Sequence, residues 1–180
     1  MADFIFNIMS KKALLIIDMQ NDFCNPSAPL FVPNNPKIIP KIKKEIEKAR
    51  KENIPIIYTQ DWHKPNDKEF KIWPKHCVAG TEGVEIVKEL IPQKNDVIIK
   101  KSTYSAFYKT NLAKILKKLK IEALILTGCV TNICVLFTAF DAYVRGYKLI
   151  IRKDCLGYVN KKYHEFALNL MKKAFDAKIE

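Results

Sequence analysis

The chain has 180 residues, 48% of them hydrophobic and 28% charged, with a formal net charge of +12. This length and balance fit one soluble globular domain that needs neither disulfides nor a metal to hold its core, and no apolar stretch approaches a membrane span. The charge does not read as a nucleic-acid footprint: of 31 basic residues only Arg50, Arg145 and Arg152 are arginine, the type suited to bidentate phosphate and base contacts.

The lysines instead spread over helix faces, as with Lys41, Lys43, Lys44, Lys48 and Lys51, in the manner of a solvated surface. Residues 1–9 are apolar but short, carry Asp3 and lack a basic leader, so they read as an extension or a misassigned start rather than an export signal. Residues 12–18 form a nearly continuous apolar run ending in Asp18, as expected of a buried parallel strand. After a proline-rich loop, Ile39, Ile42, Ile46 and Ala49 recur at helical spacing over 36–53. A β-branched and aromatic run predicts a second strand at 54–60. The polar and aromatic stretch 61–83 is long and irregular, a length that usually signals function. A short helix is predicted at 84–90 and a third strand at 96–100.

Leu112, Ile115, Leu116 and Leu119 mark the next helix, which leads into a strand at 121–127. A helix carrying Cys134 follows and stops at Gly146. A strand at 147–152, a helix at 161–176 and a short strand at 177–180 complete the chain. Strands alternating with helices predict a parallel sheet covered on both faces. Five cysteines at 24, 77, 129, 134 and 155 show no C-x-x-C spacing, which predicts free thiols and a reducing, cytoplasmic setting.

In such sheets, sites form beyond the carboxyl ends of the strands. Asp18 closes the first strand, Lys101 the third, and Cys134 follows the fourth within Gly128-Cys129-Val130-Thr131-Asn132-Ile133-Cys134-Val135. With Thr131 as N-cap, Cys134 falls in a first helical turn, where unpaired N–H groups favour a thiolate and can hold an oxyanion. A buried cysteine is more often a small apolar filler, Asp18 alone a cap and Lys101 alone a solvated charge. Three reactive types at one edge make a catalytic set the better reading. Asp18 moves the proton, Lys101 holds both partners in register, and Cys134 forms a thioester that water cleaves.

Asp61-Trp62-His63 leaves the second strand extended, so residues 61 and 63 share a side. His76 follows in the same loop. Two imidazoles and a carboxylate suit Zn²⁺, with Fe²⁺ or Mn²⁺ as alternatives, and Glu69 is a candidate fourth ligand. His164, on a late helix, reads as structural or solvated.

These segments resemble the isochorismatase-like cysteine hydrolases, and within them the nicotinamidases. The match runs through Leu15-Ile16-Ile17-Asp18-Met19-Gln20-Asn21-Asp22-Phe23, Asp61-Trp62-His63, Trp73-Pro74-Lys75-His76-Cys77, Lys101-Ser102-Thr103-Tyr104 and Thr127 to Val135. The resemblance implies a three-layer α/β/α fold with a mostly parallel six-stranded sheet, and Asp18, Lys101 and Cys134 as a triad. It also implies a cis peptide before Val130, an oxyanion hole from the amides of Val130 and Cys134, and a substrate slot at Phe23, Trp73 and Tyr104. The implied activity is hydrolysis of nicotinamide, and of pyrazinamide, with one divalent metal, serving NAD salvage. Asn132 departs from the aspartate many nicotinamidases carry there. An amidohydrolase of carbamoyl or ureido substrates is the alternative, and a basic binding or scaffold protein the non-enzymatic one. No nucleic-acid or membrane partner is expected; homo-oligomerisation is left open.

Overall fold

The computed structural model describes residues 11–180, so the expected extension at 1–9 lies outside the described residues. In chain order the elements are β1 (Lys12–Ile17), α1 (Asn21–Cys24), α2 (Asn35–Lys51), β2 (Ile56–Asp61) and β3 (Val97–Lys101). Then come α3 (Leu112–Lys118), β4 (Ala123–Gly128), α4 (Leu136–Tyr143), β5 (Lys148–Leu156), α5 (Lys161–Ala174) and β6 (Lys178–Ile179). The six strands form one sheet in the order β3-β2-β1-β4-β5-β6. Every pairing is parallel, where the sequence predicted a mostly parallel sheet.

Strand alternation explains the three layers. Ala13, Leu15 and Ile17 of β1 point to one face, with Leu112 and Leu116 of α3, Ala139 and Ala142 of α4 and Met171 of α5. Leu14 and Ile16 point to the other, against Ile38, Ile42, Ile46 and Ala49 of α2. A strand apolar on both sides must be covered twice, and each fully buried Leu or Ile contributes about 1.5–3 kcal/mol.

Two expectations are corrected. Residues 84–90 are not a helix but two 3₁₀ turns, Glu82–Val84 and Lys88–Leu90. Residues 85–87 instead pair with 19–21: Asn21 N–H donates to Glu85 O at 2.9 Å and Val87 N–H to Met19 O at 3.0 Å. That pairing uses the backbone groups a helix needs. Thr131 is not a side-chain N-cap either. Its hydroxyl donates to Gly157 O at 2.8 Å, and residues Thr131–Val135 form a π-helical turn ahead of α4.

Gly128 is the pivot between β4 and this turn. Its φ is +104°, and a Cβ there would lie 2.0 Å from the Ile17 carbonyl oxygen, so only glycine fits. The Cys129–Val130 peptide is cis, as the resemblance implied.

Candidate active site

Parallel strands bring their carboxyl ends to one edge, and the sheet order decides which residues meet there. Asp18 follows β1 and takes φ +51°. Lys101 ends β3, two strands away, so its long side chain must cross about 9–10 Å of sheet over the end of β2. It does: Nζ lies 2.7 Å from Asp18 Oδ2 and donates to Cys134 Sγ at 3.7 Å. All three residues are buried. Thr59, on β2, donates to Asp18 Oδ1 at 2.6 Å and fixes that carboxylate.

Burial pushes Asp18 up and Lys101 and the neighbouring carboxylate Asp61 act on it in opposite directions, leaving it raised. Burial also works against charge on Lys101, but Asp18 and Asp61 outweigh it and hold the ammonium well above its ordinary range. The Cys134 thiol is pushed well up by burial, with Lys101 the main opposing charge. The depressed thiol expected from position in a helical turn is therefore not what the fold produces. Desolvation of a fully enclosed sulfur exceeds the pull of a few N–H dipoles. Asp18 adds to that rise, as a carboxylate facing the sulfur does.

The loop residues converge beside this trio. His63 pairs with the 76–79 segment: its N–H donates to Cys77 O at 2.9 Å, and Ala79 N–H donates to His63 O at 2.8 Å. Asp22 holds the same segment by accepting from Cys77 N–H at 2.7 Å. As a result, donor atoms of Asp61, His63, Glu69 and His76 all lie within 4.8 Å of one another. Glu69 belongs to the group geometrically. His63 Nε2 lies 3.1 Å, and His76 Nε2 3.4 Å, from Asp61 Oδ2. His76 Nδ1 sits 2.7 Å from the Pro74 carbonyl oxygen, which selects the Nδ1–H tautomer and leaves Nε2 with a lone pair.

These donors fit a divalent cation. His63 is fully buried, yet neither ring nitrogen makes a hydrogen bond of good geometry, despite the close carboxylates. Two imidazoles and two carboxylates are a donor set for Zn²⁺, Fe²⁺ or Mn²⁺. Charge agrees: burial opposes it, but Asp61 draws the His63 imidazole up to about 9, so the cluster favours positive charge at its centre.

Each group sends side chains to one cavity of about 430 Å³. Phe23, Trp73 and Tyr104 line it with Cys134, Asp61, Glu69 and His76. Trp73 Nε1 donates to the Tyr104 hydroxyl at 3.1 Å, locking two of the three rings together. Among the described residues that line it there is no lysine or arginine. Sequence reasoning missed Val159 and Tyr163, which come to the rim from the far half of the sheet. It also missed Phe70, whose ring packs on both His63 and His76. Thr59 was within reach, since it shares strand parity with Asp61. His164 is structural, with Nδ1 2.9 Å from Thr131 Oγ1. Among the described residues no helix is long and apolar enough to cross a membrane.

Residues 12–179 match the family model described as Isochorismatase domain. The isochorismatase family protein YaaI of Bacillus subtilis (strain 168) is 38% identical over 173 residues, 95% of each chain. The pyrazinamidase of Pyrococcus horikoshii, solved in complex with zinc, superposes with a TM-score of 0.89 at 36% identity, covering 94% of this chain and 98% of that one. The N-carbamoylsarcosine amidase of Thermoplasma acidophilum superposes at 0.86 with 32% identity, covering 94% and 95%.

Proposed function

The chain belongs to the isochorismatase family, whose amidohydrolases act on carbon–nitrogen amide bonds, and within it we propose a metal-dependent nicotinamidase that converts nicotinamide to nicotinate and ammonia. The observation that carries this reading is the cavity. Cys134 of the trio and Asp61, Glu69 and His76 of the donor cluster face one apolar, aromatic chamber with no lysine or arginine among its described lining residues.

The absence of lining lysine and arginine discriminates among amides. N-carbamoylsarcosine is a carboxylate at neutral pH, and an anion entering an apolar chamber needs a counter-charge. Here Asp61 and Glu69 would be taken up with the metal, and no lysine or arginine among the described lining residues remains to pair with a substrate carboxylate. A neutral, flat heteroaromatic amide meets no such penalty and is sandwiched by Phe23, Trp73 and Tyr104.

In this mechanism Asp18 takes the Cys134 proton as the sulfur attacks the carboxamide carbon. The amide N–H groups of Val130 and Cys134 receive the oxyanion. Asp18 returns the proton to the departing nitrogen, releasing ammonia and leaving a thioester on Cys134. Asp18 then takes a proton from water, whose oxygen attacks the thioester carbon, and the thiol is regenerated with nicotinate. Lys101 opposes the effect of burial on Asp18, favouring its carboxylate form, and holds it in line through the 2.7 Å ion pair. Asp61, His63, His76 and Glu69 would hold the metal. Bound there, it supplies a Lewis-acidic anchor for a pyridine nitrogen, fixing the ring's orientation.

The test is ammonia release from a panel of nicotinamide, pyrazinamide, N-carbamoylsarcosine and maleamate. Turnover of the two neutral ring amides and not of the two anions is expected. Preference for an anionic substrate overturns the reading in favour of a carbamoyl or acyclic amidase.

A further inference from the structure

We propose that Asp67 is the positioning residue of the metal cluster, one carboxylate that orients two of its ligands at once. This inference rests on the metal reading above. Asp67 lies between His63 and Glu69 in sequence, where the 61–83 loop turns back: its N–H donates to Lys64 O at 3.0 Å, and its carbonyl accepts from Phe70 N–H at 3.2 Å. Its two carboxylate oxygens serve different partners. Oδ1 accepts the Glu69 backbone N–H at 3.0 Å and caps the 3₁₀ turn Lys68–Lys71. Oδ2 lies 3.2 Å from Nδ1 of the fully buried His63.

The chemistry follows from the imidazole. A cation held by Nε2 of His63 requires the proton to reside on Nδ1, and that N–H then needs an acceptor in a dry site. Asp67 Oδ2 is within reach; an anionic acceptor there raises ligand basicity and fixes the ring plane. Through Oδ1 the same side chain sets the start of the turn that points Glu69 into the cluster. The two histidines thus face unequal partners, His76 the neutral Pro74 carbonyl at 2.7 Å and His63 a carboxylate oxygen at 3.2 Å, in reach once Nδ1 carries the proton.

The experiment compares wild type, Asp67→Asn, Asp67→Ser and Glu69→Gln in full-length protein. Zn²⁺ affinity is read by competition with a chromophoric chelator, and ligand field by the visible spectrum of the Co²⁺ form. Asn and Ser both keep an oxygen that caps the Glu69 N–H, so the fold and the turn persist, which a thermal melt checks. Both variants are expected to bind Zn²⁺ about 10–100-fold more weakly, with Co²⁺ band intensities that keep the wild-type coordination number. Glu69→Gln is expected to change the band pattern itself. Wild-type affinity in folded Asp67→Asn and Asp67→Ser overturns the role of Asp67 while leaving the metal reading intact. Failure of wild type to bind Zn²⁺ stoichiometrically overturns both.

Discussion

Asp61 and Lys101 end adjacent parallel strands in register, and their side chains meet at 3.3 Å. One ammonium therefore serves two carboxylates, Asp18 in the cysteine trio and Asp61 in the donor cluster. The two halves of the site share a charge rather than merely a cavity.

Removing that charge has a definite consequence. Lys101→Met leaves Asp18 and Asp61 buried and mutually repelling, a situation that costs about 3–5 kcal/mol. The expected outcome is a fall of that size in the unfolding free energy from urea titration, together with at least a ~100-fold loss of kcat. A variant as stable as wild type contradicts the shared-charge account.

Thr59 gives a finer test. Its hydroxyl donates to Asp18 Oδ1 at 2.6 Å and accepts the Asp18 N–H at 3.1 Å. Thr59→Val keeps the volume and loses both bonds. A decrease in kcat of about tenfold is expected, at a stability cost of roughly 1–3 kcal/mol, with Thr59→Ser restoring kcat. Unchanged kcat in Thr59→Val removes it from the machinery.

The buried thiols make the protein sensitive to alkali. All five cysteines are free and buried, and burial pushes Cys24 up to about 12 and Cys155 up to about 11. Unfolded thiols ionise near ~8.5. A folded-state pKa raised in this way contributes fully below the unfolded value and is lost as pH climbs through the folded one. Urea midpoints are expected to hold from about pH 7 to 8 and to fall between about pH 9 and 11, as the unfolding free energy drops by up to ~1.4 kcal/mol per thiol per pH unit. A midpoint level across that window contradicts this assignment.

Gly128→Ala probes the pivot that delivers the cysteine turn. Its Cβ would sit 2.0 Å from Ile17 O at φ +104°. A loss of more than about 3 kcal/mol is expected in chemical denaturation; tolerance of alanine contradicts the pivot.

Much of this was legible in the chain. An apolar run as short as 13–17 suits a doubly covered strand better than a helix, and a parallel sheet sends Asp18, Lys101 and the Cys134 turn to one edge. Strand parity placed Asp61 beside His63. What stayed illegible depends on contacts distant in sequence. Thr131 looks like an N-cap until Gly157 O and His164 claim its hydroxyl. Residues 84–90 look helical until 19–21 pair with them. The Cys134 thiol looks acidic until its enclosure is known, because desolvation is set by the whole fold. Tyr163 and Val159 carry no local mark of a cavity wall.

The most direct measurement is ammonia release from nicotinamide by reduced protein as isolated, after chelation, after metal add-back, and as Cys134→Ala. The account predicts activity in the first, loss on chelation, recovery with Zn²⁺, Fe²⁺ or Mn²⁺, and at least a ~10⁴-fold loss in the folded, metal-loaded variant. Folded, reduced, metal-loaded wild type that releases no ammonia, or Cys134→Ala that turns over normally, contradicts it.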